Sequence, residues 1–195
     1  MTGFLDHIDQ TLFLFLNGIN NPFFDRVIFG ATKGLIYVPL YLYFLLFVIR
    51  KYKWNTLWIL VFATLMILAS DQLSNLVKDS VQRLRPSRQP GLVVHIVEAY
   101  KGGTFGFYSA HATNTFCVVV FLIVTLGKKY WYVILPAVCW SLLMSYSRIY
   151  LGVHYPGDIL AGWIAGGLIG YLFGMGVRKT MEVMRKEKPK NQVDS

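Results

Sequence analysis

The stretch WNTLWILVFATLMILASDQLSNL, residues 54–76, decides the class of fold. Its only charged residue is Asp71, close to its end, and aliphatic and aromatic side chains fill most of the rest. A helix rising 1.5 Å per residue needs about 20 apolar residues to cross a hydrocarbon layer about 30 Å thick, and this run has that length. It reads as a membrane span, and the whole chain agrees. Of 195 residues, 55% are hydrophobic and only 15% charged, with a mean hydropathy of +0.47, outside the range of ordinary soluble domains.

Four more apolar runs accompany it: 35–49, which can be followed back to 27 across Lys33, then 110–126, 130–150 and 159–177. The run at 110–126 opens with His111, Thr113, Asn114 and Thr115, so that end must face other helices or a water-filled pocket rather than lipid. Ahead of all five, Leu5, Ile8, Leu12, Phe15 and Leu16 recur at helical spacing among Asp6, Asp9 and Gln10. Such a helix is amphipathic and lies flat on the membrane surface; Asn20, Asn21 and Pro22 then break it. The early aspartates and the lack of a basic leading segment argue against a cleavable signal. From Arg178 the chain turns polar and basic, as a helical extension that frays. The expected architecture is an all-α integral membrane helical bundle of about five transmembrane helices plus an N-terminal interfacial amphipathic helix.

The formal charge of +9 is divided into short clusters between the apolar runs, which suits anionic lipid head groups and not nucleic acid. Arg50, Lys51 and Lys53 follow the first span, Lys128 and Lys129 the third, and Arg178, Lys179, Arg185, Lys186, Lys188 and Lys190 the fifth. With five spans these clusters share one side, which the bias of lysine and arginine makes cytoplasmic, as it does the C-terminus. Lys78, Arg83, Arg85, Arg88 and Arg148 then stand on the opposite face against that bias, and a functional demand for positive charge accounts for them. Cys117 and Cys139 lie inside apolar runs without metal-ligand spacing and are expected as small buried hydrophobes.

Three fragments on that opposite face carry chemistry: KDSVQRLRP at 78–86, YSAH at 108–111 and SRIYLGVHYPGD at 147–158. Lys78 and Arg85 are seven apart, so if the second span continues outward they project from nearly one face toward a common anion. A solvated basic helix end would look the same. His154 and Asp158 are four apart; with Pro156 in the first turn of the fifth helix, Asp158 can accept a hydrogen bond from the imidazole and leave its other nitrogen free to attack. An interfacial histidine with a helix-start aspartate is the bland alternative. His111 could protonate a leaving group while Ser109 and the N–H groups of a helix start hold phosphate oxygens, or Ser109 could simply cap that helix. Asp71, a heptad before Lys78, fits a buried helix-packing polar group or a supporting partner of that lysine.

Together the fragments resemble the type 2 phosphatidic acid phosphatase superfamily, whose pattern is Lys, six residues, Arg-Pro; then Pro-Ser-Gly-His; then Ser-Arg, five residues, His, three residues, Asp. Lys78, Arg85 and Pro86, and Ser147, Arg148, His154 and Asp158, match at every defined position. Tyr108 and Ala110 stand where the family has Pro and Gly, while Ser109 and His111 remain. Ala110 keeps the backbone N–H but disfavours a positive φ.

The resemblance implies a single membrane-embedded domain over 1–180 with a basic cytoplasmic tail at 181–195. It also implies a phosphatase that uses no metal or other cofactor. His154 would be the nucleophile and become a covalent phosphohistidine intermediate, with Asp158 its orienting partner and His111 the general acid. Lys78, Arg85, Ser109, Ala110 and Arg148 would bind the phosphoryl oxygens. Fixed cations are what a metal-free phosphoryl transfer needs. The implied substrate is a lipid phosphate: a polyprenyl diphosphate, placed slightly ahead, phosphatidylglycerol phosphate, phosphatidate or the 1-phosphate of lipid A. Residues 87–107, with Gly91, Gly102, Gly103 and the aromatics Tyr100, Phe105 and Phe107, are expected to cover the pocket, and His95 and Glu98 to be surface residues. A lipid phosphotransferase with the same intermediate and a non-enzymatic anion- or lipid-binding membrane protein stay open as alternatives.

Overall fold

The structure is a computed structural model that describes residues 2–32 and 34–187; Lys33, Lys188 and Lys190 of the sequence reading lie outside them. Seven α-helices follow one another: α1 (Thr2–Gly18), α2 (Pro22–Ala31), α3 (Val38–Tyr52), α4 (Thr56–Val81), α5 (Ala110–Leu126), α6 (Trp131–Tyr150) and α7 (Pro156–Glu187). Among the described residues the only β pairing is an isolated bridge between Leu84 and Phe105. Helices α3 to α7 are the five apolar runs. Gly34–Val81, Lys128–Tyr150 and Pro156–Lys186 are each long and apolar enough to cross a membrane, and α5 is a shorter apolar helix. The apolar run does not extend back to residue 27 as one span. Asn21 caps α2 separately, accepting from the N–H of Phe24 at 2.9 Å, and a 3-10 turn at Gly34–Tyr37 leads into α3.

The centre of the bundle is the α5–α7 pair. Gly162, Gly166, Gly170 and Gly174 recur every fourth residue on α7 and turn toward α5, and Leu160, Ile164, Leu168 and Leu172 on its other face are exposed. A Cβ on Gly166 would stand 2.5 Å from the carbonyl oxygen of Thr113, and one on Gly170 2.5 Å from that of Cys117. Small residues let two membrane helices approach this closely, since lipid supplies no hydrophobic drive for pairing them. An apolar exterior over a tightly packed, small-residue interior is what a lipid solvent favours.

The two ends of the bundle differ. At one, Lys51 Nζ lies 3.4 Å from the Leu126 carbonyl and 3.4 Å from the centre of the Tyr130 ring, and Val177 and Met181 pack near Val48 and Ile59. The basic clusters after α3, α5 and α7 therefore share an end, as the charge pattern requires. At the other end the starts of α5 and α7 meet, with Ser109 N–H donating to the Asp158 carbonyl at 3.1 Å.

Helix α1 docks by its polar edge. Asn17, almost fully buried, donates to the carbonyls of Tyr150 at 2.8 Å and Ile149 at 3.1 Å and accepts from His95 N–H at 2.8 Å, and Phe13 packs edge-on against Tyr155. Leu5, Ile8, Leu12 and Phe15 stay exposed, as an interfacial helix would leave them. Helix α7 continues without a break through residue 180 to Glu187. Cys117 is buried as expected, but Cys139 is exposed: it sits on an outward face of α6, where a lipid-facing helix has no need to hide a small apolar side chain.

Candidate active site

The site forms where α4, α5, α6 and α7 end or begin at the α5–α7 junction. Helix α4 does not carry both cations on one face. It stops at Val81 because Gln82 takes a left-handed conformation, φ 53, with its N–H on the Lys78 carbonyl at 2.9 Å. Beyond it the chain runs extended, and Arg85, which precedes Pro86, has φ −70 and ψ 154 as a pre-proline residue favours. Backbone bonds from Arg85 N–H to Thr104 at 3.2 Å and from Gly106 N–H to Arg83 at 2.8 Å stitch this strand-like segment to residues 104–106. Arg85 thus reaches the site from a loop, its Nε donating to the Phe105 carbonyl at 3.0 Å.

Residues 87–107 do close over the site, and glycines let them. Gly102, at φ +62, lies so close to Arg85 that a Cβ would stand 2.5 Å from a guanidinium nitrogen, and a Cβ on Gly106 would meet Arg85, Asp158 and His154 together. His95 is not a free surface residue: its Nε2 sits 2.8 Å from Asp25 Oδ1, which also accepts from the Tyr150 hydroxyl at 2.6 Å. Burial opposes the charge of Asp25, but those two bonds bring its carboxyl below the usual range. Glu98 is exposed as expected.

His154 lies between α6 and α7, 2% exposed, with its N–H on the Arg148 carbonyl. Its Nδ1 stands 3.4 Å from Asp158 Oδ2, an ion-pair distance longer than a good hydrogen bond, and that oxygen also accepts the Tyr155 N–H at 2.9 Å. Pro156 opens α7, as the His154–Asp158 spacing required. Burial holds the imidazole of His154 down at about 4; Asp158 opposes this, and Arg85 and Lys78 reinforce it. The ring is therefore neutral near pH 7, with Nε2 on the side away from the carboxylate.

Arg148, in the last turn of α6, is 2% exposed. Its Nε donates to Ser147 Oγ at 3.1 Å, while its Nη2 is buried without a hydrogen-bond partner. Among the described residues, neither Arg148, Arg85 nor Lys78 forms an ion pair with a carboxylate. Burial pulls Arg85 below its ordinary value. Arg148, His154, Arg85 and Lys78 all act electrostatically on His111, so five of the sequence-named groups converge. His111 is exposed and lines a cavity of about 530 Å³ that Ala110 also lines. Ser109 caps α5, its Oγ accepting from Ala112 N–H at 3.4 Å, which leaves its own proton free to donate. Ala110 is helical and absent from the positive-φ residues, so the Ala in place of Gly imposes no strain here.

Arg83 was missed as a site residue. It donates to Asp158 Oδ1 at 2.8 Å, to Asp9 Oδ2 at 2.8 Å and to Asp6 Oδ1 at 3.2 Å, and lies 4.3 Å above the Tyr155 ring. Burial disfavours its charge, but Asp158 and Asp9 more than offset this and raise it above the ordinary value. Asp9 also accepts the Gly157 N–H at 2.7 Å, so α1 is tied to the start of α7. The clue lay in Asp6 and Asp9, acids three apart on the polar edge of a helix otherwise built for lipid.

Such an arrangement offers a neutral imidazole held from behind, a second imidazole facing a cavity, and cations, a hydroxyl and helix N–H groups that lack an anionic partner. That is a setting for nucleophilic attack on a phosphoryl group. The comparisons with known proteins point the same way. The sequence profile of the PAP2 superfamily matches residues 56–181. The lipid A 4'-phosphatase of Bacteroides thetaiotaomicron is 38% identical over 194 residues, covering 97% of this chain and 85% of that protein. The lipid A 4'-phosphatase of Porphyromonas gingivalis is 32% identical over 170 residues, covering 84% and 70%. Among solved structures, the transmembrane PAP2-type phosphatidylglycerolphosphate phosphatase of Bacillus subtilis superposes with a TM-score of 0.65 at 24% identity, over 91% of this chain and 87% of that one.

Proposed function

Since the chain belongs to the PAP2 superfamily, we propose that it is a membrane lipid phosphatase whose reaction runs through a phosphohistidine on His154. In the first step Nε2 of His154 attacks phosphorus and the P–O bond to the lipid breaks. His111 gives its proton to the departing oxygen, so the lipid leaves as an alcohol, or as a monophosphate from a diphosphate. Lys78, Arg85, Arg148, the Ser109 hydroxyl and the Ala110 N–H hold the non-bridging oxygens and stabilise the charge that spreads over them. In the second step water attacks phosphorus, His111 takes its proton and the P–N bond breaks. Inorganic phosphate leaves, and both histidines return to their starting state.

Asp158 holds the back of the imidazole and balances the positive charge the ring acquires in the intermediate. Arg83 holds Asp158 in turn. No step requires a metal. The observation that carries these roles is the buried, unpartnered Nη2 of Arg148 beside a neutral histidine. A buried guanidinium lacking a carboxylate is costly unless its function is to meet an anion.

Similarity over 97% and 84% of the chain to two lipid A 4'-phosphatases moves a phosphate on an acylated amino sugar ahead of a polyprenyl diphosphate as the substrate. The shared end of the basic clusters supports a site on the non-cytoplasmic face of the cytoplasmic membrane, with the C-terminus cytoplasmic. Phosphate release from lipid A, polyprenyl diphosphate, phosphatidylglycerol phosphate and phosphatidate in detergent with EDTA tests the reading. EDTA leaves the rate largely intact, and His154→Ala lowers it by about 10³-fold or more. Near-full turnover by His154→Ala, or loss of activity with EDTA, contradicts the mechanism.

A further inference from the structure

Below the phosphate-binding groups, the cavity that His111 faces runs into the bundle between Tyr41, Asp71, Asn114, Trp140 and Met144. An apolar groove of about 300 Å³ between α3, α4 and α5 shares Tyr41, Ile67 and Val118 with it, so the two spaces adjoin. Asp71 is the one ionisable residue in the apolar body of α4, and a carboxylate within a span calls for a function. It joins α4 to α5 as the packing group the sequence suggested, but it is half-buried and also lines the cavity. Asn114 Nδ2 donates to Asp71 Oδ1 at 2.7 Å, and Asn114 Oδ1 accepts from Ser70 Oγ at 2.6 Å. Among the described residues nothing donates to Asp71 Oδ2, and Asp71 lines the cavity. The amide of Asn114 is thus oriented from behind, and the carboxylate presents its free oxygen forward as an acceptor.

Helix rise sets the depth of this acceptor. Asp71 precedes Lys78 by seven residues, about 10 Å along α4, and Asn114 follows His111 by three, about 5 Å along α5. A lipid whose phosphate sits among Lys78, Arg85 and Arg148 places there the part of the molecule that joins head group to chain. Its chain continues into the apolar groove. A plain hydrocarbon at that depth would strip water from a carboxylate and return no hydrogen bond, which disfavours it. A lipid with an N–H or O–H at that point replaces the lost water.

We propose that Asp71, oriented by Asn114 and Ser70, is a specificity subsite that accepts a hydrogen bond from an amide N–H or hydroxyl next to the phosphate-bearing head group. The substrate class it selects is a phosphorylated, N-acylated or hydroxyacylated lipid, in preference to a phosphate on an unsubstituted hydrocarbon chain. This rests on the lipid phosphatase reading above. A site built to pair a substrate donor discriminates strongly against analogues lacking it, because its own polar group is then left unpaired.

The test compares kcat/KM in detergent for two probes: an acylated glucosamine phosphate, made with and without the 3-hydroxyl on its amide-linked chain, and a plain long-chain alkyl phosphate. The wild-type protein is set against Asp71→Asn. Asparagine keeps the shape, and with its oxygen held by Asn114 it turns an N–H toward the cavity. Asp71→Asn then loses at least about tenfold on the acylated sugar and stays within about twofold on the alkyl phosphate. If removing the 3-hydroxyl abolishes the Asp71 effect, the hydroxyl is the donor; if it does not, the amide is. Equal losses on both probes, or no loss on either, overturn the subsite and leave the phosphatase reading standing. Wild-type protein that releases phosphate from neither probe overturns the phosphatase reading itself.

Discussion

The two sides of His154 are charged in opposite ways. Behind it, Asp158, Arg83, Asp9 and Asp6 form a closed network in which one guanidinium meets three carboxylates. In front of it, Lys78, Arg85 and Arg148 have no carboxylate partner among the described residues, and one nitrogen of Arg148 is buried and unpaired. Arg83 and Arg85 are two residues apart in sequence and fall on opposite sides of this division. The Arg83 guanidinium reaches Asp158 and Asp9, whereas Arg85 packs against Gly102 and Gly106 and its Nε donates to the Phe105 carbonyl instead of a carboxylate. Saturated charge holds a side chain in place, whereas unsaturated charge is available to a substrate.

Removing a cation from the open side has the larger effect. Arg148→Ala lowers phosphate release by about 10²- to 10³-fold, as loss of one preorganised donor to a developing oxyanion does. Unchanged activity would mean that Arg148 is buried for packing and that the two sides do not differ in function.

Breaking the closed side acts through geometry. Arg83→Ala frees Asp158 to move and lowers the rate by about 10²-fold or less, the cost of a small misplacement of a catalytic group. It also has a signature that a purely structural role lacks. With its cation gone, the charge of Asp158 acts undiminished on the imidazole, so the pKa of His154 rises from about 4 toward the ordinary value. The ring stays neutral and nucleophilic above that pKa and is lost as pH falls through it, so the variant loses its nucleophile at a higher pH. A nitrogen-15 titration of the ring in detergent measures this; an unshifted or lowered midpoint would mean that Arg83 does not act on His154 through Asp158. Asp6, exposed and the most distant of the three partners at 3.2 Å, matters least, and Asp6→Asn changes the rate by no more than about twofold.

The apolar runs made the five long apolar helices legible, because hydrocarbon thickness sets a length scale for such runs that needs no knowledge of tertiary contacts. The residues proposed for the chemistry were legible as a set too: His111, His154, Asp158, Lys78, Arg85, Ser109 and Arg148 stand at fixed spacings beside helix ends. What the chain hid were relations across it. Gln82 adopts a left-handed conformation that no strong residue preference announces, so the end of α4 and the loop route of Arg85 could not be read. Asp9 and Arg83 are separated by 74 residues, and only the docking of α1 through Asn17 brings them together. Asn114 looked like an awkward polar residue at the start of a span, and its bond to Asp71 required two helices to be packed first.

The central claim is that His154 becomes covalently phosphorylated. An aryl phosphate with a good leaving group needs no proton from His111, so with His111→Ala the first step proceeds while hydrolysis of the P–N bond is slowed. Rapid quenching in alkali followed by peptide mass spectrometry should then find phosphate on His154, lost on acid treatment and absent from the His111→Ala, His154→Ala double variant. Turnover of the aryl phosphate by His111→Ala without phosphate on His154, or an equal label in the double variant, would contradict it.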